Sequence, residues 1–194
     1  MKFIKNYLTL FSKVCNLFDP GQISDLVKEL TKIKKNNGRI FFLGVGGSAG
    51  NCSHAVNDFR KLCEIECYSP ADNVSELTAR TNDEGWKTVF SGWLKISNLN
   101  KKDAIFIFSV GGGNKKKKVS ENLIGAIDCA KLKKAKVFSI TARADGYSNK
   151  NSNISILINV KNKKFVTPIS ESMQAYIWHL LVSSKELAEN KTKW

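Results

Sequence analysis

The feature that most constrains the fold is the stretch FFLGVGGSAGNCSHAVNDFR at residues 41–60. An apolar run at residues 39–43 stops at a glycine, and residues with helical spacing follow. The turn between them contains Gly44, Gly46, Gly47 and Ser48. A buried strand that leads into a helix through a glycine turn is therefore predicted.

Such a turn presents free backbone N–H groups at a helix N-terminus, where the helix dipole favours an anion. Glycine lets an anionic ligand approach Gly46 and Gly47 closely, and Ser48 adds a hydroxyl donor. A phosphorylated small molecule is the expected ligand. The turn lacks the third glycine of the dinucleotide fingerprint, which argues against NAD, so no nucleotide cofactor is expected.

His54 and Asp58 lie one turn apart on the predicted helix and share one face. A histidine and a carboxylate near an anion-binding turn suit an acid/base pair or half of a metal site. A solvated surface pair is the structural alternative.

Strands alternate with helices through the rest of the chain, which predicts a parallel sheet with helices on both faces. The predicted strands are 39–43, 64–69, 103–109, 136–141 and 154–160. Helices are expected on both sides of residue 20, after the glycine turn, twice within 70–98, at 120–132 and at 170–189. A loop through Thr167 and Pro168 is predicted before the last helix. Ligands of such sheets bind at the carboxyl ends of the strands.

A second glycine loop, SVGGGN at residues 109–114, follows the third predicted strand. Its Ser109, Gly111, Gly112 and Asn114 offer another set of donors for phosphate oxygens. Two such loops suit the two ends of one sugar phosphate. The lysines at 115–118 either attract the anion or form a solvated start of the next helix.

The second histidine, His179, follows Glu171 by eight residues on the last predicted helix. Eight helical residues rise about 12 Å, so the two side chains meet at one atom only if they converge or come from different subunits. This spacing favours an active site at a subunit interface.

The length of 194 residues fits one domain with a helical extension. The extension is assigned to residues 1–37, packing on the sheet or on a neighbouring subunit, and the main domain to 38–194. The five cysteines have no C-x-x-C spacing, which favours reduced thiols and a cytoplasmic location. Lys5 and Lys13 interrupt the N-terminal apolar residues, so no membrane association is expected.

A formal net charge of +14 invites a nucleic-acid interpretation. The lysines are scattered through every segment, and no zinc finger, RNP-type aromatic signature or helix-turn-helix pattern accompanies them. Nucleic acid is therefore not the expected partner.

Taken together, these residues resemble the sugar isomerase (SIS) domain family, and within it the phosphoheptose isomerases. The resemblance covers nearly the whole chain. It rests on 44–48 (GVGGS), His54 with Asp58, 81–83 (TND), 109–112 (SVGG), Thr141 with 145–146 (DG), and Glu171 with His179.

The resemblance implies a three-layer α/β sandwich with a five-stranded, flavodoxin-like parallel sheet, assembled as a homotetramer. It implies an aldose–ketose isomerase that converts sedoheptulose 7-phosphate to a glycero-manno-heptose 7-phosphate through an enediol, for surface glycans. Asp58, Glu171 or His179 would move the proton, and a zinc ion or His54 would polarise the carbonyl. The implied zinc ligands are His54, Asp58, Glu171 and His179. Ser48, Asn82 and Asp83 would line the sugar, and the loop after Ser109 would hold the phosphate.

The chain departs from the family pattern at several of these positions. Val45 replaces the usual Asn, Asp58 a Glu, and Glu171 a Gln, while the phosphate loop has lost its Ser and Thr hydroxyls. Lys115 or backbone N–H groups would have to replace those donors. A non-catalytic sugar-phosphate sensor or assembly factor of the same family is the rival interpretation, although a sensor needs no acid/base set.

Overall fold

The computed structural model describes residues 1–193, which form a five-stranded parallel sheet flanked by helices. The elements in chain order are α1 (Lys2–Cys15), α2 (Pro20–Lys35), β1 (Ile40–Leu43), α3 (Gly47–Cys63), β2 (Cys67–Tyr68), α4 (Val74–Asp83), α5 (Val89–Ile96), β3 (Ala104–Ser109), α6 (Glu121–Leu132), β4 (Lys136–Thr141), α7 (Tyr147–Asn151), β5 (Ile154–Leu157) and α8 (Val166–Val182). Single turns of 3-10 helix lie at Pro70–Asp72, Trp86–Thr88 and Lys163–Phe165.

The strand order is β2-β1-β3-β4-β5, with every neighbouring pair parallel. This is the flavodoxin-like arrangement, and the predicted fold class is confirmed. Its switch point lies between β1 and β3, where Leu43 pairs with Ile107. Both glycine loops follow these two adjacent strands, so both lie at the edge of the sheet where ligands of such folds bind.

Two separate apolar cores fill the two faces of the sheet, because successive side chains of a strand point in opposite directions. Phe42 and Phe106 belong to the core beneath α1, α2, α3 and α8. Phe41 and Ile105 belong to the core beneath α5 and α6. Burial on both faces explains why β1 and β3 read as continuous apolar runs.

The N-terminal helices differ in how far they are buried. Leu26 and Leu30 of α2 are fully buried in the core that also contains the sheet, so α2 packs on the sheet of its own chain. Helix α1 leaves Phe3, Ile4 and Leu8 exposed. The domain boundary at residue 37 stays a prediction.

The last helix was predicted with wrong limits. It begins at Val166, and Pro168 lies inside its first turn, where a proline removes no helical hydrogen bond. The helix ends at Val182 rather than near residue 189. The second predicted strand is only two residues long, and helix α7 was not predicted. No helix within residues 1–193 has the length and apolar character needed to cross a bilayer.

Candidate active site

The first glycine turn is shaped by close backbone contacts. A Cβ atom at Gly44 would lie 2.5 Å from the carbonyl oxygen of Ser48, so only glycine fits there. Gly46, the residue before α3, has a φ of 63°, which favours glycine. No side chain caps the start of α3. The turn therefore leaves backbone donors at the N-terminus of α3, as the sequence predicts.

Helix α8 brings His179 to the His54–Asp58 pair of α3. The Nε2 atoms of His54 and His179 lie 3.5 Å and 3.4 Å from the same Oδ2 of Asp58. The centroids of the two imidazole rings are 5.4 Å apart. One nitrogen from each histidine and one carboxylate oxygen all lie within 4.8 Å of one another. Three of the four predicted metal ligands thus meet within one chain.

Asp58 is the buried centre of this cluster. Its side chain is 11% exposed, whereas those of His54 and His179 are 56% and 52% exposed. The indole Nε1–H of Trp178 donates to Oδ2 of Asp58 at 3.0 Å, and the amide of Asn57 donates to Oδ1 at 3.1 Å. Trp178 thus holds the carboxylate from the protein interior, and Asn57 holds it from the exposed side of α3, while the histidines face solvent.

Glu171 lies outside the cluster. A Cβ atom at Gly47 would be 2.7 Å from the carboxylate carbon and both carboxylate oxygens of Glu171, so this group rests against the first turn of α3. From Gly47 to His54, α3 rises about 10 Å. In this chain the Glu171 carboxylate therefore lies at the glycine turn and not beside the two histidines.

A buried polar network joins the same turn to α8. Gln174 is fully buried; its Nε2 donates to Oγ of Ser48 at 3.1 Å, and its Oε1 accepts from Asn51 at 2.8 Å. Asn51 also donates to the carbonyl of Glu171 at 2.9 Å. Because Ser48 Oγ accepts from Gln174, its own proton is free to be donated elsewhere. Sequence reasoning missed Gln174 and Asn51.

The second glycine loop is folded by its own hydrogen bonds. Oγ of Ser109 accepts from the N–H of Gly112 at 3.0 Å, and Gly112 and Gly113 both have positive φ. Thr141, at the end of the adjacent β4, has a fully buried hydroxyl with no hydrogen-bond partner in the described structure. Its Cγ2 would lie 3.4 Å from a Cβ atom at Gly112. The side chain of Thr141, whose hydroxyl is unpaired, therefore packs through its methyl group against the loop predicted to bind phosphate.

Comparison with known proteins gives a consistent result. A Streptomyces lincolnensis protein named lincomycin biosynthesis protein LmbN is 31% identical over 150 residues, 71% of this chain and 52% of that protein. This chain therefore spans about half the length of that relative. A phosphoheptose isomerase from Helicobacter pylori is 26% identical over 157 residues, 78% of this chain and 76% of that protein.

The structural comparison extends over more of the chain. A phosphoheptose isomerase from Francisella tularensis has a TM-score of 0.79 and 19% identity, covering 93% of this chain and 92% of that one. No family profile matches the sequence. The chain is similar in sequence and in fold to phosphoheptose isomerases.

The donor set of this cluster fits a zinc ion. Two imidazole nitrogens and one carboxylate oxygen are zinc ligands, and three protein ligands leave the open position of a catalytic site. Ligand atoms around a tetrahedral zinc lie roughly 3.3 Å apart, given bonds of about 2 Å. The two histidine–Asp58 distances already match this value, and only the two imidazoles would have to close slightly.

The lysines at 115–118 form a short hairpin rather than a helix start. Asn114 and Val119 pair through both backbone hydrogen bonds. The ammonium of Lys115 lies 3.4 Å from Asp128 and 4.4 Å from the ring centroid of Tyr147. Lys115 is therefore engaged by side chains of α6 and α7.

The remaining candidate residues of the site lie elsewhere or are buried. Asn82 and Asp83 are exposed at the end of α4, where the Asn82 amide donates to Asp83 at 2.8 Å. Cys52 is fully buried beside the site, and this burial raises the pKa of its thiol well above the ordinary value. Cys52 is thus held as an unreactive thiol.

Proposed function

We propose that this protein is a member of the SIS family and an aldose–ketose isomerase that converts sedoheptulose 7-phosphate to a glycero-manno-heptose 7-phosphate. The observation that carries the proposal is the convergence of His54, Asp58 and His179 on one carboxylate oxygen. A protein that only bound a sugar phosphate would need the glycine loops but not this set of titratable groups. The similarity to a Helicobacter pylori protein named phosphoheptose isomerase supports the same reaction class.

The substrate is proposed to bind with its phosphate at the second loop. Glu171 places negative charge against Gly47, which disfavours a phosphate dianion at the first turn. The second loop offers Ser109 and exposed backbone at Gly111, with the unpaired hydroxyl of Thr141 nearby. The sugar end would then reach the first turn, where Ser48 donates to a hydroxyl or carbonyl oxygen.

The chemistry requires a base that moves a proton between C1 and C2 and a group that stabilises the oxygen of the enediol. Asp58, His179 and Glu171 remain the candidate bases. A zinc ion held by His54, Asp58 and His179 would polarise the carbonyl oxygen when bound. Glu171 stands closest to the sugar end of the site, whereas Asp58 is occupied by both histidines, so we assign proton transfer to Glu171 or to an unligated His179.

The site is proposed to be completed in a homotetramer. Asn82 and Asp83 lie on an exposed helix end, as residues that act on a neighbouring subunit's site would. Exposed apolar side chains on α1 (Phe3, Ile4) and on α8 (Tyr176) would become buried by such assembly. Light scattering on the purified protein tests the assembly, and a monomeric mass contradicts it.

Incubation with sedoheptulose 7-phosphate and detection of an aldose phosphate tests the reaction directly. Wild type should turn over, and His179→Ala should lose about 10²–10⁴-fold in rate, the range for a lost acid/base group. Asp25→Asn, which changes an exposed acid on α2 that pairs with Lys28, is the control and should keep full activity. Equal rates for wild type and His179→Ala would end the proposal, and tight binding without turnover would favour the sensor.

A further inference from the structure

We propose that Trp178 is the positioning residue of the site, selecting which oxygen and which lone pair of Asp58 face the two histidines. The inference rests on the proposed function only for the role of Asp58. Trp178 was part of an apolar helix in the sequence and carried no functional signal. The structure gives it three contacts with the cluster.

The first contact is the hydrogen bond from the indole to Asp58. Nε1–H of Trp178 donates to Oδ2 at 3.0 Å, in a place where the tryptophan is 1% exposed and the carboxylate is buried. Water does not compete for a donor at that depth, so the bond is stronger than the same bond at the surface. One lone pair of Oδ2 is thereby occupied from the protein side.

The remaining lone pair of the same oxygen is left for the histidines. Nε2 of His54 and Nε2 of His179 approach Oδ2 at 3.5 Å and 3.4 Å. Asn57 holds the other oxygen, Oδ1, by a 3.1 Å hydrogen bond. Asp58 is therefore presented as a ligand or proton acceptor through one oxygen in one orientation.

The second and third contacts are made by the indole ring with the two imidazoles. Its centroid lies 5.3 Å from that of His54 and 4.9 Å from that of His179. The indole also stacks on Phe108, with 5.8 Å between the ring centroids and an interplanar angle of 12°. Phe108 is the last residue before Ser109, so the sheet end that carries the phosphate loop also fixes the ring that orients the cluster.

The orientation of Asp58 by Trp178 compensates for the short side chain of an aspartate. A carboxylate with one methylene fewer has less freedom to adjust to a ligand, so its direction must be set correctly in advance. Partners that orient a metal ligand typically change metal affinity or activity by about 10–100-fold when they are removed. Trp178→Phe removes the N–H and keeps an aromatic ring, so it isolates that contribution.

The direct test is the indole N–H signal in an NMR spectrum of ¹⁵N-labelled protein. The chain has four tryptophans, and the signal missing from Trp178→Phe assigns Trp178. Asp58→Ala should move this signal and speed its exchange with solvent. An unchanged signal overturns the inference, and this result does not depend on metal or on turnover.

The second test is zinc affinity by competition with a chelating dye. Trp178→Phe should bind zinc about 10–100-fold more weakly than wild type. Trp86→Phe changes a partly exposed tryptophan whose ring packs on Phe90, and Phe138→Leu disturbs the core that contains Trp178 from β4; both should retain wild-type affinity. Equal affinity for Trp178→Phe and these controls contradicts the inference. If the wild type lacks isomerase activity but Trp178→Phe still lowers zinc affinity, only the proposed reaction is contradicted and the role of Trp178 stands.

Discussion

The imidazole rings of His54 and His179 lie 5.4 Å apart, and both direct Nε2 to the same oxygen of Asp58. They come from α3 and α8, which pack side by side on one face of the sheet. If the two rings lay far apart in space within one chain, a second subunit would be needed to form the cluster. One subunit instead supplies two histidines and a carboxylate.

Zinc binding should depend equally on both rings. Purified wild type should bind one zinc per chain, and His54→Ala and His179→Ala should each lose this stoichiometric metal, because two ligands rarely hold a structural or catalytic zinc. Elemental analysis after dialysis measures the result. Asp145→Asn, which changes an exposed acid paired with Arg143, serves as the control and should keep its zinc. Stoichiometric zinc in both histidine variants would show that the metal binds elsewhere.

Gly47→Ala should impair turnover without harming stability. The added Cβ would lie 2.7 Å from the carboxylate of Glu171, the far end of a flexible side chain that can move away. A displacement of about 1 Å at a reacting group can cost about 100-fold in rate. Steady-state kinetics with sedoheptulose 7-phosphate, together with thermal melting, separates activity from folding.

Gly50→Ala is the matched control on the same helix. A Cβ atom at Gly50 would meet nothing within 4 Å. Alanine in a helix interior should raise the free energy of unfolding by about 0.5–1 kcal/mol and leave the rate unchanged. A Gly47→Ala protein as active as Gly50→Ala would show that the position of Glu171 does not matter to the reaction.

The sequence was sufficient where contacts are local or repeat along the chain. The unbroken apolar runs of β1 and β3 predicted strands buried on both faces, and the four-residue spacing of His54 and Asp58 predicted a shared helix face. Trp178 and Gln174 could not be identified, because their partners lie on α3 and only the packing of α8 against α3 brings them together. An indole in an apolar helix looks like ordinary core until its N–H is found to have an acceptor.

The limits of α8 were missed for a similar reason. Proline is a strong signal for a helix end, yet it is tolerated in the first turn, and the sequence does not say on which side of Pro168 the helix begins. Glu171 was grouped with the histidines through the family resemblance. Its rotamer, which directs the carboxylate to Gly47, is set by the three-dimensional packing of the two helices.

Asp103→Ala should strongly destabilise the fold. The carboxylate of Asp103 is almost completely buried and accepts from Arg39 at 2.8 Å and from the amide and backbone of Asn100 at 2.9 Å and 3.0 Å. This acceptor raises the pKa of Arg39, because its carboxylate accepts a hydrogen bond from the guanidinium. Removing one member of a buried pair costs about 3–5 kcal/mol.

Denaturant unfolding measures this loss. Asp25→Ala is the control, because Asp25 and Lys28 form an ion pair in which both side chains are about two-thirds exposed. Its removal should change the free energy of unfolding by less than about 0.5 kcal/mol. Similar losses for the two variants would mean that the Asp103 network does not join the starts of β1 and β3 in solution.

Thr141→Val should stabilise the free protein and weaken phosphate binding. The hydroxyl of Thr141 is buried without a partner, and valine has nearly the same shape, so its removal should raise the melting temperature. If that hydroxyl donates to the substrate, the same change should raise the KM for sedoheptulose 7-phosphate by about 10-fold, the loss of one hydrogen bond of about 1.5 kcal/mol.

Lys115→Ala is the comparison, since Lys115 is already engaged by Asp128 and Tyr147 and its loss should leave the KM unchanged. A large KM effect for Lys115→Ala with none for Thr141→Val would assign the phosphate to the lysine hairpin instead of the end of β4.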